Sequence, residues 1–181
     1  MSSACLAPPH HLVLQVLLRH RQQTSQLEFA QSAARIVTGS ESYLACVVGA
    51  GLLLYGINEQ ALSRPLADLH ERYDGGLDQI GPYARHIEEG GVLEPLMHVR
   101  VRVQLEHMDA VRRELLMRDG RILEQDVVAL SYQLPREGVL RARAPMDRLI
   151  GFPAVLQAIA GDTAEPLIAL DCYEPVPLDL N

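Results

Sequence analysis

The sequence predicts an α+β chain folded as two tandem ferredoxin-like sandwiches, and three observations carry that expectation. Period-two apolar runs alternate with segments of helical spacing, the order β-α-β-β-α-β occurs once before Gly90-Gly91, and the same order recurs after it. At 181 residues with 48% hydrophobic and 22% charged residues, the chain has the composition of ordinary globular protein, with length for two small cores.

The elements follow in order. "HLVLQVLLRHR" places Leu12, Leu14, Val16 and Leu18 in period two, a strand pattern. After the polar "QQTSQ", Ser25 is a candidate N-cap for a helix carrying Leu27, Phe29, Ala30, Ala33 and Ala34 and ending near "VTGS". "SYLACVVGAGLLLYG" predicts two short strands about Gly49-Ala50-Gly51, a hairpin signal. Asn58 caps a second predicted helix with Ala61, Leu62, Leu66 and Leu69 as its apolar stripe; Pro65 predicts a kink or a late start, and Asp74-Gly75-Gly76 stops it. "LDQIGPYARHIEE" predicts a short edge strand, because Pro82 does not suit a central one.

In the second half, Val99, Val101 and Val103 form one strand face. Met108, Val111, Leu115 and Leu116 stripe a helix with Gly120 as candidate C-cap. "RILEQDVVALSYQL" and "GVLRARAPM" predict strands joined at Pro135–Gly138. "MDRLIGFPAVLQAIAG" predicts a helix stopped by Gly161, and "PLIALDCYEPVP" a closing strand.

Composition excludes several function classes. All 16 basic residues are arginine, so neither a phosphate-binding GxxxxGK[ST] loop nor lysine Schiff-base chemistry is available. The net charge is −7, with 6 Arg against 9 acids in residues 1–90 and 10 against 14 in 91–181, unlike a protein whose affinity rests on phosphate contacts. No DNA partner is expected. Cys5, Cys46 and Cys172 are odd in number and far apart, which predicts reduced thiols and a cytoplasmic protein. The longest apolar stretch, Tyr43 to Gly56, is too short and too glycine-broken for a membrane span.

Gly49-x-Gly51 lacks the third glycine of a dinucleotide loop, since Leu54 stands there, and a hairpin turn is the expectation. His10-His11, His86, His98 and His107 lie on different elements or without companions at ligand spacing, so no metal site and no cofactor is expected. Arg100, Arg102, Arg141 and Arg143 alternate along two neighbouring strands and share the open sheet face. They form either an RNA- or acidic-partner surface or a solvated face, and no aromatic stacking residues interleave them.

The second half resembles domain V of translation elongation factor G: "VLEPLMHVRV" is similar to that family's opening strand. "EHMDAVRRELLMRDGRI" is similar to its helix with a basic turn and glycine, and "VLRARAPM…LIGFPAVLQ" to its following strand and helix. "ALDCYEPVP" resembles its closing strand. The first half resembles domain III of the same factor more faintly. In "LLLYGINEQALSRPLADLHERY", Gly56, Glu59 and Leu62 match the family's octet, while Asn58 and Ala61 replace its second glycine and its histidine. Residues 1–9 are expected to be mobile, and the resemblance implies a domain III-like module at 10–89, joined by a hinge at 90–91 to a domain V-like module at 92–178. The GTPase domain, domain II and domain IV are expected to be absent, so the chain is expected not to be an enzyme.

The resemblance also implies a ligand site. In the family, domains III and V meet at a cleft lined from positions matching Tyr55, Pro82 and Tyr173, where argyrin-class antibiotics bind; Tyr83, Met146 and Phe152 join them as candidates. Capping of each module's core edge is the alternative role for these side chains. Three functions are implied: a non-catalytic decoy for a small-molecule antibiotic, a ribosome-associated fragment docking at the elongation-factor site, or an oligomerising or metabolite-sensing module.

Overall fold

A computed structural model describes residues 8–37, 39–128 and 137–176. The chain divides into two compact units, Met1–Ile87 and Glu88–Asn181.

The first unit runs β1 (Leu14–His20), α1 (Gln26–Ala33), β2 (Tyr43–Val48), β3 (Gly51–Gly56), α2 (Glu59–Arg72) and β4 (Leu77–Ala84). Its antiparallel sheet has the order β2-β3-β1-β4, the ferredoxin-like arrangement. Leu12, Leu14, Val16 and Leu18 are all buried, as the period-two pattern predicts, and meet Leu52, Leu54, Phe29, Leu62 and Leu69 in one core. Both predicted caps form: the Ser25 hydroxyl accepts from the Glu28 amide at 3.3 Å, and the Asn58 side chain accepts from the Ala61 amide at 2.8 Å.

Three local expectations change in this unit. Helix α2 does not start late at Pro65; it begins at Glu59 and continues past Pro65 to Arg72, with Leu62, Pro65 and Leu69 buried, so tertiary burial outweighs one missing backbone donor. Leu27 is 45% exposed and belongs to no core stripe, because the eight-residue α1 packs through Phe29, Ala30 and Ala33. Pro9, at the end of the stretch expected to be mobile, is tied down: its carbonyl accepts from the Leu12 amide at 3.1 Å and from Arg85 Nη1 at 2.7 Å.

Gly49 and Ala50 form the tight link between β2 and β3. Gly51 pairs with Val48 at φ 145, and a Cβ there would fall 2.2 Å from the Leu18 carbonyl oxygen. Of the two glycines, Gly51 is therefore the steric requirement, where β3 passes β1, and β4 is an edge strand as Pro82 demanded.

A two-residue strand, β5 (Ile87–Glu88), precedes the second unit, and Gly90 turns the chain at φ 71. The second unit then runs β6 (Val92–Gln104), α3 (Leu105–Met117), β7 (Arg121–Val128), β8 (Glu137–Pro145), α4 (Met146–Leu149), α5 (Phe152–Ala160), a 3-10 turn at Gly161–Thr163, and β9 (Glu165–Pro175). Strand β6 lies between β8 and β9, and β7 pairs with the far side of β8. Val99, Val101, Val103, Met108, Val111, Leu115, Leu140 and Phe152 fill the core.

Here the expected stripe residue Leu116 is 45% exposed. The helix expected over 146–161 is two helices, because Gly151 adopts a left-handed φ of 77 between them. Arg118 braces that corner, donating to the Arg148 carbonyl at 2.6 Å and the Ile150 carbonyl at 3.0 Å. Gly120 takes no left-handed role, which falls to Asp119 at φ 57. Its own Cβ would sit 2.5 Å from the Leu115 carbonyl oxygen, so glycine is needed for close approach. Of the joint expected at Pro135–Gly138, Glu137 and Gly138 belong to β8 and the rest lies outside the described residues.

Candidate functional site

The first sheet has a core face and an open face of uneven exposure, with Tyr83 exposed and Cys46 only 3% exposed, and Tyr55 and Tyr83 lie on that second face. Opposite the even-numbered core positions of β1 stand Gln15 and Leu17. Gln15 pairs with Tyr55 on β3 and with Tyr83 on β4, and Tyr55 pairs in turn with Leu44 on β2. Leu17 likewise pairs with Leu53 and Ile80, and Leu53 with Cys46. Two rows of four side chains therefore cross the sheet: Leu44, Tyr55, Gln15, Tyr83 and, beside them, Cys46, Leu53, Leu17, Ile80.

Ile80 and Tyr83 are three residues apart, so a regular strand would send them to opposite faces. The register between β1 and β4 shifts between Gln15 and Leu17, setting Val16 alone against Gly81 and Pro82. That bulge returns both residues to the open face. Gly81 is required there, with φ 103 and an added Cβ 3.0 Å from the Gln15 carbonyl oxygen. Pro82 thus shapes the face through the bulge.

The face is apolar but its rim is ordered by polar contacts. The Arg85 guanidinium lies 5.5 Å from the centre of the Tyr55 ring and donates to the Pro9 and Leu12 carbonyls at 2.7 and 3.3 Å. Burial pushes the Tyr55 phenol above its ordinary pKa, with Arg85 partly offsetting, so it stays a neutral donor at physiological pH. At the other end Arg19 pairs across the sheet with Asp78, whose carboxylate takes Arg21 at 2.6 Å. Tyr83 is 54% exposed and Ile80 38%, so part of the apolar surface is open to solvent.

The remaining candidates are distributed differently. Met146 and Phe152 are 2% and 0% exposed, packed inside the second unit's core, and have no surface to offer a ligand. Phe152 opens α5 and receives the Arg118 guanidinium at 5.6 Å from its ring centre. The expectation that Met146 and Phe152 join the ligand site is corrected accordingly: both point into the core on either side of the Gly151 corner. Tyr173 is half-buried on β9, opposite Pro95.

The arginines do share the second sheet's open face, with Arg100 directly opposite Arg141 and His98 opposite Arg143. Carboxylates interleave them. Arg102 meets Glu137 at 2.5 Å and Glu165 at 3.7 Å, Arg141 meets Glu124 and, at 3.8 Å, Asp126, and Arg143 meets Asp171. Among the described residues Arg100 alone of the four has no ion pair, beside Leu167, which is 57% exposed. A face so neutralised has little field left for phosphate.

Of the three cysteines, Cys172 is a free thiol and Cys46 is disulfide-bonded, which corrects the expectation of three reduced thiols; Cys5 lies outside the described residues. Burial first, then the Asp171 and Glu174 carboxylates, pushes the Cys172 thiol above its ordinary pKa, with Arg143 opposing. No group of three or more metal-binding side chains occurs among the described residues, and no helix among them is long and apolar enough to cross a membrane.

Residues 91–181, half of the chain, match the family model of the elongation factor G C-terminus. The chain belongs to that family. Its second unit, β6 through β9, is the elongation factor G C-terminal module. The fold as a whole is similar to the crystal structure of a protein from Thermus thermophilus, with a TM-score of 0.61 and 13% identity over 96% of this chain. That likeness shows the fold, and the chain spans 42% of the length of that protein. No curated protein matches. Beside the elongation factor G module, the site residues that sequence reading missed are Gln15, Leu17, Leu44, Leu53 and Ile80. The one available signal was that "GLLLYG" is apolar at both parities, the mark of a strand with two apolar faces.

Proposed function

We propose that this protein is a cytoplasmic, non-catalytic binding protein built from elongation factor G domains III and V, and that it sequesters a small-molecule antibiotic directed at that factor. The observation that carries the reading is the open face of the first sheet, where Tyr55 and Tyr83 flank Gln15 within a field of leucine and isoleucine. Rigid aromatic and aliphatic area of this kind favours an apolar ligand at low entropic cost.

The test is thermal unfolding with an argyrin-class antibiotic. A ligand at a hundredfold excess over its Kd stabilises by about 2.7 kcal/mol, and Tyr83→Ala, which removes an exposed ring, should abolish the rise without lowering the unliganded Tm. Tyr173→Ala tests a contribution from the second unit. An unchanged Tm in the wild type across such compounds would refute the reading.

Family membership supports a second reading, a fragment that docks on the ribosome. Arg100, which has no ion pair among the described residues, is the residue of the second sheet to probe. Co-sedimentation with ribosomes at physiological salt that is lost in Arg100→Glu would favour docking over sequestration.

A further inference from the structure

We propose that the end of helix α5 forms a binding cavity for a guanidinium on an aliphatic stem, presented as an arginine side chain by a partner protein. The cavity belongs to the second unit alone and does not depend on the first sheet's open face.

It has a volume of about 270 Å³ and is lined by Pro153, Leu156 and Gln157 of α5, by Gly161 and Asp162 of the turn that follows, and by Pro166 of β9. Pro166 pairs with the buried Val101, so the cavity lies on the helix-covered side of the second sheet, opposite Arg100 and its neighbours. Gly161 shapes it by adopting φ 59, with open space where a Cβ would stand. That turn brings Asp162 back beside Gln157, whose Nε2 donates to Asp162 Oδ1 at 3.4 Å.

Three observations give the chemistry. Asp162 is in no ion pair among the described residues, and no basic residue lines the cavity or stands in the last turn of α5. The carboxylate and the negative end of the helix dipole therefore act on one space without a counter-charge. Next, with the Gln157 NH2 turned to Asp162, the Gln157 carbonyl oxygen and the second Asp162 oxygen have no partner among the described residues. Both can only accept. A guanidinium answers two such oxygens with one planar fork of donors, and it sheds water more readily than an ammonium. Finally, Leu156, 1% exposed, is the floor, and the exposed Pro153 and Pro166 stand at the rim. These apolar surfaces take the aliphatic stem of the side chain while its charged head reaches Asp162.

Size decides the source. Small-molecule sites usually measure about 300–1,000 Å³, and this cavity, at about 270 Å³, holds a single side chain. The exposed rim is left for the residues that flank that side chain on a protein surface.

The experiment titrates the full chain with acetyl-Ala-Arg-Ala-amide, its citrulline counterpart and butylguanidinium while backbone and side-chain amide NMR signals are recorded. Citrulline keeps the shape of arginine and removes its charge. The arginine peptide should shift the Gly161, Asp162 and Gln157 signals saturably and bind about two- to fivefold more tightly than the citrulline peptide, the range for a partly exposed charge pair. Asp162→Asn should erase that preference. Asp109→Asn, which makes the same change of charge on α3, should keep it. Equal binding of the two peptides to the wild type, shifts confined to residues away from the cavity, or loss of the preference in both variants overturns the proposal. Butylguanidinium leaves the rim bare and should bind at least about twofold more weakly than the arginine peptide. Equal affinity of those two overturns the protein source and leaves a guanidinium site standing.

Discussion

Replacing Gly51 by alanine separates the two readings of the Gly-x-Gly motif. An ideal Cβ at this position meets the Leu18 carbonyl oxygen at 2.2 Å, whereas ordinary contact begins at 3.4 Å. More than an ångström must therefore be found by moving β3 away from β1. Leu18 is fully buried and Leu52 pairs with it, so that movement opens the core beneath. The backbone adds its own strain, since φ 145 is a conformation that alanine rarely adopts. Together these cost about 3–5 kcal/mol, a large share of the roughly 5–15 kcal/mol that holds a domain together. Gly49, two residues earlier, has nothing within 4 Å of its Cβ position, so Gly49→Ala should change stability by less than about 0.5 kcal/mol. The assay is equilibrium urea unfolding followed by far-ultraviolet circular dichroism and by tyrosine fluorescence, which reports the first unit through Tyr43, Tyr55, Tyr73 and Tyr83. Equal midpoints for the two variants would refute the steric argument and reopen the motif to a ligand role.

Phe152→Ala should destabilise the second unit by about 3–5 kcal/mol, as expected for a fully buried aromatic, while binding at the Tyr83 face is unchanged once the protein is folded. Asn58→Ala should cost about 1 kcal/mol through the lost bond to the Ala61 amide, read from the same urea curves. Because its pKa is raised, Cys172 should react with iodoacetamide more slowly than a free cysteine at pH 8, with the rate still climbing above pH 9; a rate equal to free cysteine would remove the carboxylate argument. Tyr55 is also raised, so the folded state holds its proton longer than the unfolded state does. Its contribution to stability is present below pH 10 and is lost as pH rises through the folded pKa, and Tyr55→Phe should flatten that alkaline decline.

Much of the fold was legible because it is written in local periodicity. Leu12, Leu14, Val16 and Leu18 declare a strand with one core face, and Ser25 and Asn58 declare two helix starts through bonds that span three residues. Pro82 marks an edge, and Gly49-Ala50-Gly51 marks a hairpin. The resemblance to elongation factor G was likewise carried by contiguous motifs, and it holds for residues 91–181.

The site was less legible, for the same physical reason. Period two says that Gln15 and Leu17 face away from Leu14 and Val16, but not which residues of other strands lie beside them. That is decided by register, and register depends on the Gly81-Pro82 bulge, a single extra residue that reverses the facing of everything beyond it. Alternation likewise placed four arginines on one face, while the carboxylates that neutralise three of them arrive from Glu124, Glu137 and Asp171 on β7, β8 and β9. Amino-acid sequence alone determined the elements, their order and the family of the second unit. Tertiary structure decided which side chains became neighbours, because lateral pairing joins residues dozens of positions apart and leaves no local periodicity to read.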